Sequence, residues 1–210
     1  MRRMLLAAAI FGAVAMTANA TEEPSFETVA EDGKIEVRQY EPIIVAETEV
    51  SGDMRDASSA GFRVLADYIF GNNTARSEIA MTAPVTRTPS TKIDMTAPVT
   101  RTANEDDSWT VSFTMPSKWT METLPVPNNP AVSIREVPGE MLATIRFSGS
   151  GQMETHKAKQ AELEAWIGSH GYEATGPARY AGYDAPWKPA PFRRNEVLIP
   201  VKPVSGGSDD

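Results

Sequence analysis

The residues able to do chemistry in this chain are few and unevenly placed. There is no cysteine, and the two histidines, His156 and His170, fall in one helix-like stretch. A cysteine–histidine nucleophile is therefore impossible, and a serine triad would need one of two helix-borne imidazoles. The sequence holds no G-x-S-x-G, P-loop, G-x-G-x-x-G or H-E-x-x-H, which argues against hydrolase and nucleotide-dependent chemistries. The histidines also fail as a metal pair. With Leu163 midway at a spacing of seven they share a helical stripe, but fourteen residues of helix separate them by roughly 21 Å. His170, just before Gly171, reads as a helix-end residue whose partial positive charge suits the negative pole. His156 reads as a solvated side chain rather than an axial ligand.

One stretch does gather useful groups. In Tyr180–Val201, "YAGYDAPWKPAPFRRNEVLIPV", the rings of Tyr183, Trp187 and Phe192 sit in a segment stiffened by Pro186, Pro189 and Pro191. Lys188, Arg193 and Arg194 add positive charge in the same place. A flat apolar ligand carrying carboxylates would suit such a site, its faces on the aromatics and its acids on the cations. The same residues also admit a structural role, the rings capping the core and the cations pairing with Asp184 and Glu196. Met81 and Met95 head two copies of "MTAPVTRT" fourteen residues apart. Thioethers adapt to irregular apolar surfaces and contact π-systems well, although core filling is their commoner use.

The elements that must position these groups can be read from periodicity. Ile35, Val37 and Tyr40, then Ile43 to Val50, alternate as strands about a turn at Glu41-Pro42. From Asp53 to Phe70 the period becomes helical, with Asp53 as cap and Gly71-Asn72-Asn73 as stop. A shift of 97 residues repeats the unit: Arg38 falls on Arg135, Ala46 on Ala143, Ser51 on Ser148 and Gly52 on Gly149. A second helix follows at Gln152 to His170, stopped by Gly171. Self-similarity at that distance indicates a duplicated half-domain, with halves at about 34–115 and 131–202. Further strands are expected at Trp109 to Met115 and Glu196 to Val201. The "MTAPVTRT" pair reads as a hairpin, Ile79–Thr88 with Ile93–Thr102, and Thr21 to Gly33 as a loose lead-in. Two helices among many antiparallel strands make an α+β protein.

Composition sets the setting. Arg2-Arg3, the apolar run Met4 to Ala15 and Ala18-Asn19-Ala20 have the form of a secretory signal over residues 1–20, too short in its apolar part for a membrane span. Export, to a bacterial periplasm, is the expectation. The net charge of −8 becomes −10 without Arg2 and Arg3, which disfavours nucleic acid and anionic lipid as partners. Without disulfides, residues 21–203 must fold on one hydrophobic core, and Val204 to Asp210 reads as a disordered tail.

Four segments, "VRQYEPIIVAETEV" (Val37–Val50), "YIFGNN" (Tyr68–Asn73), "IAMTAPV" (Ile79–Val85) and "GYDAPWKPAPFRRNEV" (Gly182–Val197), together resemble the SOUL haem-binding family, in family order and across nearly the whole chain after residue 20. The resemblance implies a distorted antiparallel β-barrel of two pseudo-symmetric halves, each with one helix, akin to gyrase-inhibitor-like regulators. It implies haem or another porphyrin as a non-covalent, exchangeable ligand. Carried over, the contacts are Phe62, Leu65, Ala66 and Ile69 on the first helix, Met81 in the motif, and Tyr183, Trp187, Lys188, Phe192 and Arg193 in the loop before the last strand; Leu65 could equally be core. A histidine ligand cannot be transferred, because the first half of the chain has none. The resulting expectation is an exported, monomeric tetrapyrrole binder. The alternatives are an enzyme that releases iron from haem, with Tyr183, Asp184 or Glu196 as proton-transfer groups, or a binder of another apolar or cationic small molecule or of a protein.

Overall fold

The computed structural model describes residues 21–76 and 90–204. The expected signal peptide, Met81 with the first "MTAPVTRT" copy, and most of the polar tail lie outside the described residues.

The chain runs β1 (Phe26–Asp32), β2 (Ile35–Tyr40), β3 (Ile43–Ser51), α1 (Met54–Ile69), β4 (Asn73–Thr74), β5 (Val99–Ala103), β6 (Ser108–Thr114), β7 (Val126–Pro127), β8 (Ser133–Val137), β9 (Met141–Ser148), α2 (Met153–Ser169), β10 (Tyr172–Ala174), β11 (Arg179–Gly182) and β12 (Arg194–Pro203). Strand, strand, helix thus occurs twice in order. The expected α+β class is what the chain adopts: two helices and one large antiparallel sheet. The sheet has ten strands in the order β1-β2-β9-β12-β11-β5-β6-β3-β8, with β10 beside β12; β4 and β7 pair separately. Among the described residues it does not close into the expected barrel, since β1 and β8 end an open series.

Strong curvature takes the place of closure. Tyr40 and Ile43 are separated only by Glu41-Pro42, yet β2 pairs with β1 and β9 whereas β3 pairs with β6 and β8. The turn therefore crosses between distant parts of the ladder, and the sheet must bend until they meet.

Both helices lie on one face of this sheet. The register Tyr180↔Arg101 places these residues on a common face. Tyr180 packs in the cluster that contains Leu163 and Ile167 of α2, while Arg101 reaches Ser58 of α1. Alternation then sends Val37, Ala143, Ile145, Val197 and Ile199 beneath α2, and Ala46, Val111 and Phe113 beneath α1. The opposite face carries Tyr40, Val45, Leu142, Tyr183 and Leu198.

Helix boundaries follow their capping chemistry. The Asp53 carboxylate accepts the N–H groups of Arg55 and Asp56 at 2.8 and 2.9 Å, which closes the start of α1. Gly71 leaves it at a φ of +129°, where a side chain would be strained. Gly61 lets α1 approach β6: a Cβ there would lie 2.6 Å from Cγ2 of Val111.

Two expectations are overturned. Phe26–Asp32 is a strand, not a lead-in; it is an outer strand paired only with β2 and largely exposed, so the alternation that marks half-buried strands is missing from its sequence. The proposed hairpin is also wrong in its second arm. Only Val99–Ala103 is extended in the ladder, and both its edges are taken, by β6 and β11.

Candidate functional site

Between α1 and α2 the floor of the helical face is formed by β5 and β11. Val99 and Arg101 rise from the first, Tyr180 and Gly182 from the second. Ser58 and Phe62 stand on the α1 side and Gln160 on the α2 side; apart from Tyr180, all of these retain part of their surface. Phe62 meets Phe113 edge-on at a centroid distance of 5.3 Å. Its expected companions do not line the groove: Leu65, Ala66 and Ile69 are 0%, 8% and 1% exposed and pack into the core. The resemblance placed four residues of α1 against a ligand, and of these Phe62 alone is not buried.

Gly182 leads directly into the proline-braced loop. There Trp187 and Phe192 are 86% and 71% exposed. Nothing apolar covers them among the described residues, so the alternative in which they cap the core fails. The cations behave otherwise. Lys188 donates to Asp184 at 2.5 Å, and Arg193 donates to the carbonyls of Lys188, at 2.6 Å, and of Pro186. Asp184 also accepts the backbone N–H of Arg194 at 2.6 Å, and the Lys188 ammonium beside it holds its carboxyl below the usual range. These charges are engaged within the loop, although Lys188 and Arg193 keep part of their surface.

Tyr183 belongs to the other face. Its hydroxyl donates to Glu196 Oε2 at 2.6 Å, and the Arg194 guanidinium lies 3.5 Å from its ring centroid. Glu196 is fully buried and also accepts from Arg38, at 2.9 Å, and Arg194, at 3.1 Å. Burial alone would raise the Glu196 carboxyl, but Arg38, Tyr183 and Arg194 together offset it and hold the group below the usual carboxylate value. Burial, reinforced by that carboxylate, pushes the Tyr183 phenol up. Beside this network the curled sheet encloses a cavity of about 280 Å³, lined among others by Tyr40, Val45, Thr100, Ser112 and Val137.

The histidines divide. His170 ends α2 as expected, its Nδ1 2.8 Å from the Trp166 carbonyl and its ring stacked on Trp166 at 4.2 Å. His156, expected in solvent, is fully buried. The α2 face that looked polar at its start turns this residue onto Phe147 and Tyr180, with ring centroids 5.2 and 5.0 Å away. Its Nδ1 bonds the Gln152 carbonyl at 3.1 Å, while Nε2 has no partner. Burial first, and the Arg101 charge second, push it down to about 4.

Sequence reasoning passed over Arg101, and it named Glu196 as a partner of the loop cations, as Arg194 shows, but not of Arg38. A signal for the first was present: Val99, Arg101 and Ala103 alternate with threonines, which puts a cation in phase with the core-facing residues.

The family model described as "SOUL heme-binding protein" matches residues 21–200. The chain belongs to this family. Membership supports a haem or tetrapyrrole-binding role in general terms. Among solved structures, this SOUL protein is similar to the EcmrR C-terminal domain, with 13% identity and a TM-score of 0.58 over 81% of this chain and 98% of that one. It is similar also to a structure titled as a hydrolase from Listeria innocua, with 16% identity and a TM-score of 0.51 over 83% and 94%. Such likeness shows the fold alone. The search of curated proteins finds no match.

Proposed function

We infer that this SOUL protein is an exported carrier that holds haem or a related porphyrin non-covalently and exchangeably, as a single domain over residues 21–203 acting as a monomer. Its ligand surface is built from Phe62 and from Trp187 and Phe192. The observation that carries this reading is the presentation of two large rings, 86% and 71% exposed, on a loop fixed by three prolines and the Asp184 bonds. Aromatic area of that size is seldom left in water without a partner.

A flat macrocycle suits such a surface, but iron coordination by imidazole does not suit these histidines: one is fully buried and the other is stacked on Trp166. Of the other positions the resemblance offered, Tyr183 is tied to Glu196 on the opposite face, and Met81 lies outside the described residues. Covering about 300 Å² of apolar ligand surface at about 25 cal/mol/Å² gives roughly 7 kcal/mol before association costs, consistent with micromolar affinity. Titration with haemin and with iron-free protoporphyrin, followed in the Soret band, tests it. Saturable shifts with both are expected, about tenfold weaker in Trp187→Ala/Phe192→Ala; flat responses to both reject the reading.

The cavity of about 280 Å³ on the other face favours a second reading, a smaller apolar ligand bound there. Ser112→Phe, which fills that space, leaves haemin binding intact under the first reading and abolishes ligand binding under the second.

A further inference from the structure

Arg101 is a cation packed against the helices with no acid beside it. Its Nε donates to the Tyr180 carbonyl at 3.3 Å and its Nη1 to the Ser58 hydroxyl at 3.4 Å, both long. Among the described residues it forms no salt bridge, whereas Arg38, Arg135, Arg179 and Arg194 each have a carboxylate within 3.1 Å. A guanidinium carries five donors, and protein groups among the described residues take two of them. Burial pulls it down to about 10, with no opposing charge to restore it. The surroundings leave it room: Gly182 lies opposite, where a Cβ would come within 3.2 Å of Nη2. His156, which feels the Arg101 charge, is neutral at pH 7 and so adds no repulsion to an arriving anion's partner.

A half-buried guanidinium without a counter-ion gives up part of its hydration for no ion pair, which is unfavourable in a protein that needs it only for folding. It is useful where an anion arrives with the ligand, because a planar fork in a low-dielectric setting binds a carboxylate in two parallel bonds. Position agrees with this use. Arg101 lies on the helical face of β5, two residues from Val99 and bonded to Ser58, one turn of α1 before Phe62, and Gly182, paired with Val99, leads into the loop bearing Trp187 and Phe192. Lys188 and Arg193, the cations expected for the role, are bound up inside that loop.

We propose that Arg101 is the anion anchor of the groove, taking a carboxylate of the bound ligand on its unused N–H donors while the apolar body lies against Phe62 and the loop aromatics. The proposal rests on the tetrapyrrole reading for the identity of that body, and it places the propionate contact on β5, away from the loop cations.

The test compares haemin with its dimethyl ester, which has the same macrocycle and no free carboxylate. In the wild type, haemin should bind about tenfold or more tightly than the ester; in Arg101→Gln the two should become equal, with ester affinity unchanged. Lys188→Gln should retain the wild-type preference. Equal affinities in the wild type, or a preference that survives Arg101→Gln, would overturn the anchor while leaving tetrapyrrole binding intact. Two measurements on the apoprotein separate the anchor from a structural role, whatever the macrocycle. Arg101→Gln should melt no lower than the wild type, and the Arg101 Nε–H resonance should shift on titration with benzoate. A lower melting temperature together with an unmoved resonance would reduce Arg101 to a structural residue.

Discussion

At the scale of single residues, the most consequential group is Glu196, a carboxylate with no exposed surface held by Arg38, Arg194 and Tyr183. Such a cluster adds little over a well-packed apolar replacement, yet loss of one member is severe because it strands a buried charge. Arg38→Met should therefore cost about 3 kcal/mol in urea unfolding at pH 7. Arg38→Met/Glu196→Leu should cost less than the single change, since it removes both the charge and its missing partner. A double variant weaker than the single would show that the pair stabilises in its own right. The same network bears on chemistry. Glu196 is kept ionised and Tyr183 protonated, and Asp184 is tied to Lys188, so none is poised near neutrality as a proton-transfer group for iron release. From sequence these residues were visible only as a mixed-charge segment. Alternation along one strand does not say which carboxylate will meet an arginine 158 positions away.

At the scale of elements, legibility follows exposure pattern. Both helices could be placed to within about two residues because their stops are glycines and because Asp53 is a strong cap. The strands with one wet face alternated and were read; β1, largely exposed, did not and was missed. Contacts between elements were not legible at all, and Gly61 shows why. In a helix it is a poor residue by propensity, costing about 1 kcal/mol relative to alanine. Here it marks the closest approach of α1 to β6. Gly61→Ala should thus destabilise by about 1–3 kcal/mol, the steric cost against Val111 exceeding the propensity gain; a rise in melting temperature would mean that β6 yields freely. The loop aromatics make the opposite prediction. Because Trp187 and Phe192 are exposed, Trp187→Ala/Phe192→Ala should shift stability by no more than about 0.5 kcal/mol per site while weakening haemin binding.

At the scale of the whole molecule, the titrating groups set a one-sided dependence of stability on pH. His156 is buried neutral and held near 4 in the fold, whereas it titrates near 6.5 in the unfolded chain. Between those values the unfolded state binds the extra proton, so stability falls as pH drops through 6.5 and levels off near 4. The charged group that acts on it is Arg101, and the imidazole's only hydrogen bond among the described residues is to the Gln152 carbonyl. At about 1.4 kcal/mol per pH unit the loss totals up to roughly 3.5 kcal/mol, a large share of the stability of a domain this size. Glu196 and Asp184, whose folded values are depressed, add their own loss below the unfolded carboxylate range. Acid unfolding should therefore proceed in two parts, the upper owed to His156. Replacing it by phenylalanine, which suits the contacts with Phe147 and Tyr180 and removes the unpartnered Nε2, should leave stability at pH 7.5 nearly unchanged and flatten the decline between pH 6.5 and 4.5. Urea unfolding across that range measures both. A wild type equally stable at pH 7.5 and 5, or a variant whose curve runs parallel to it, would show that the imidazole accepts its proton within the fold, through an opening of the groove between α2 and Arg101.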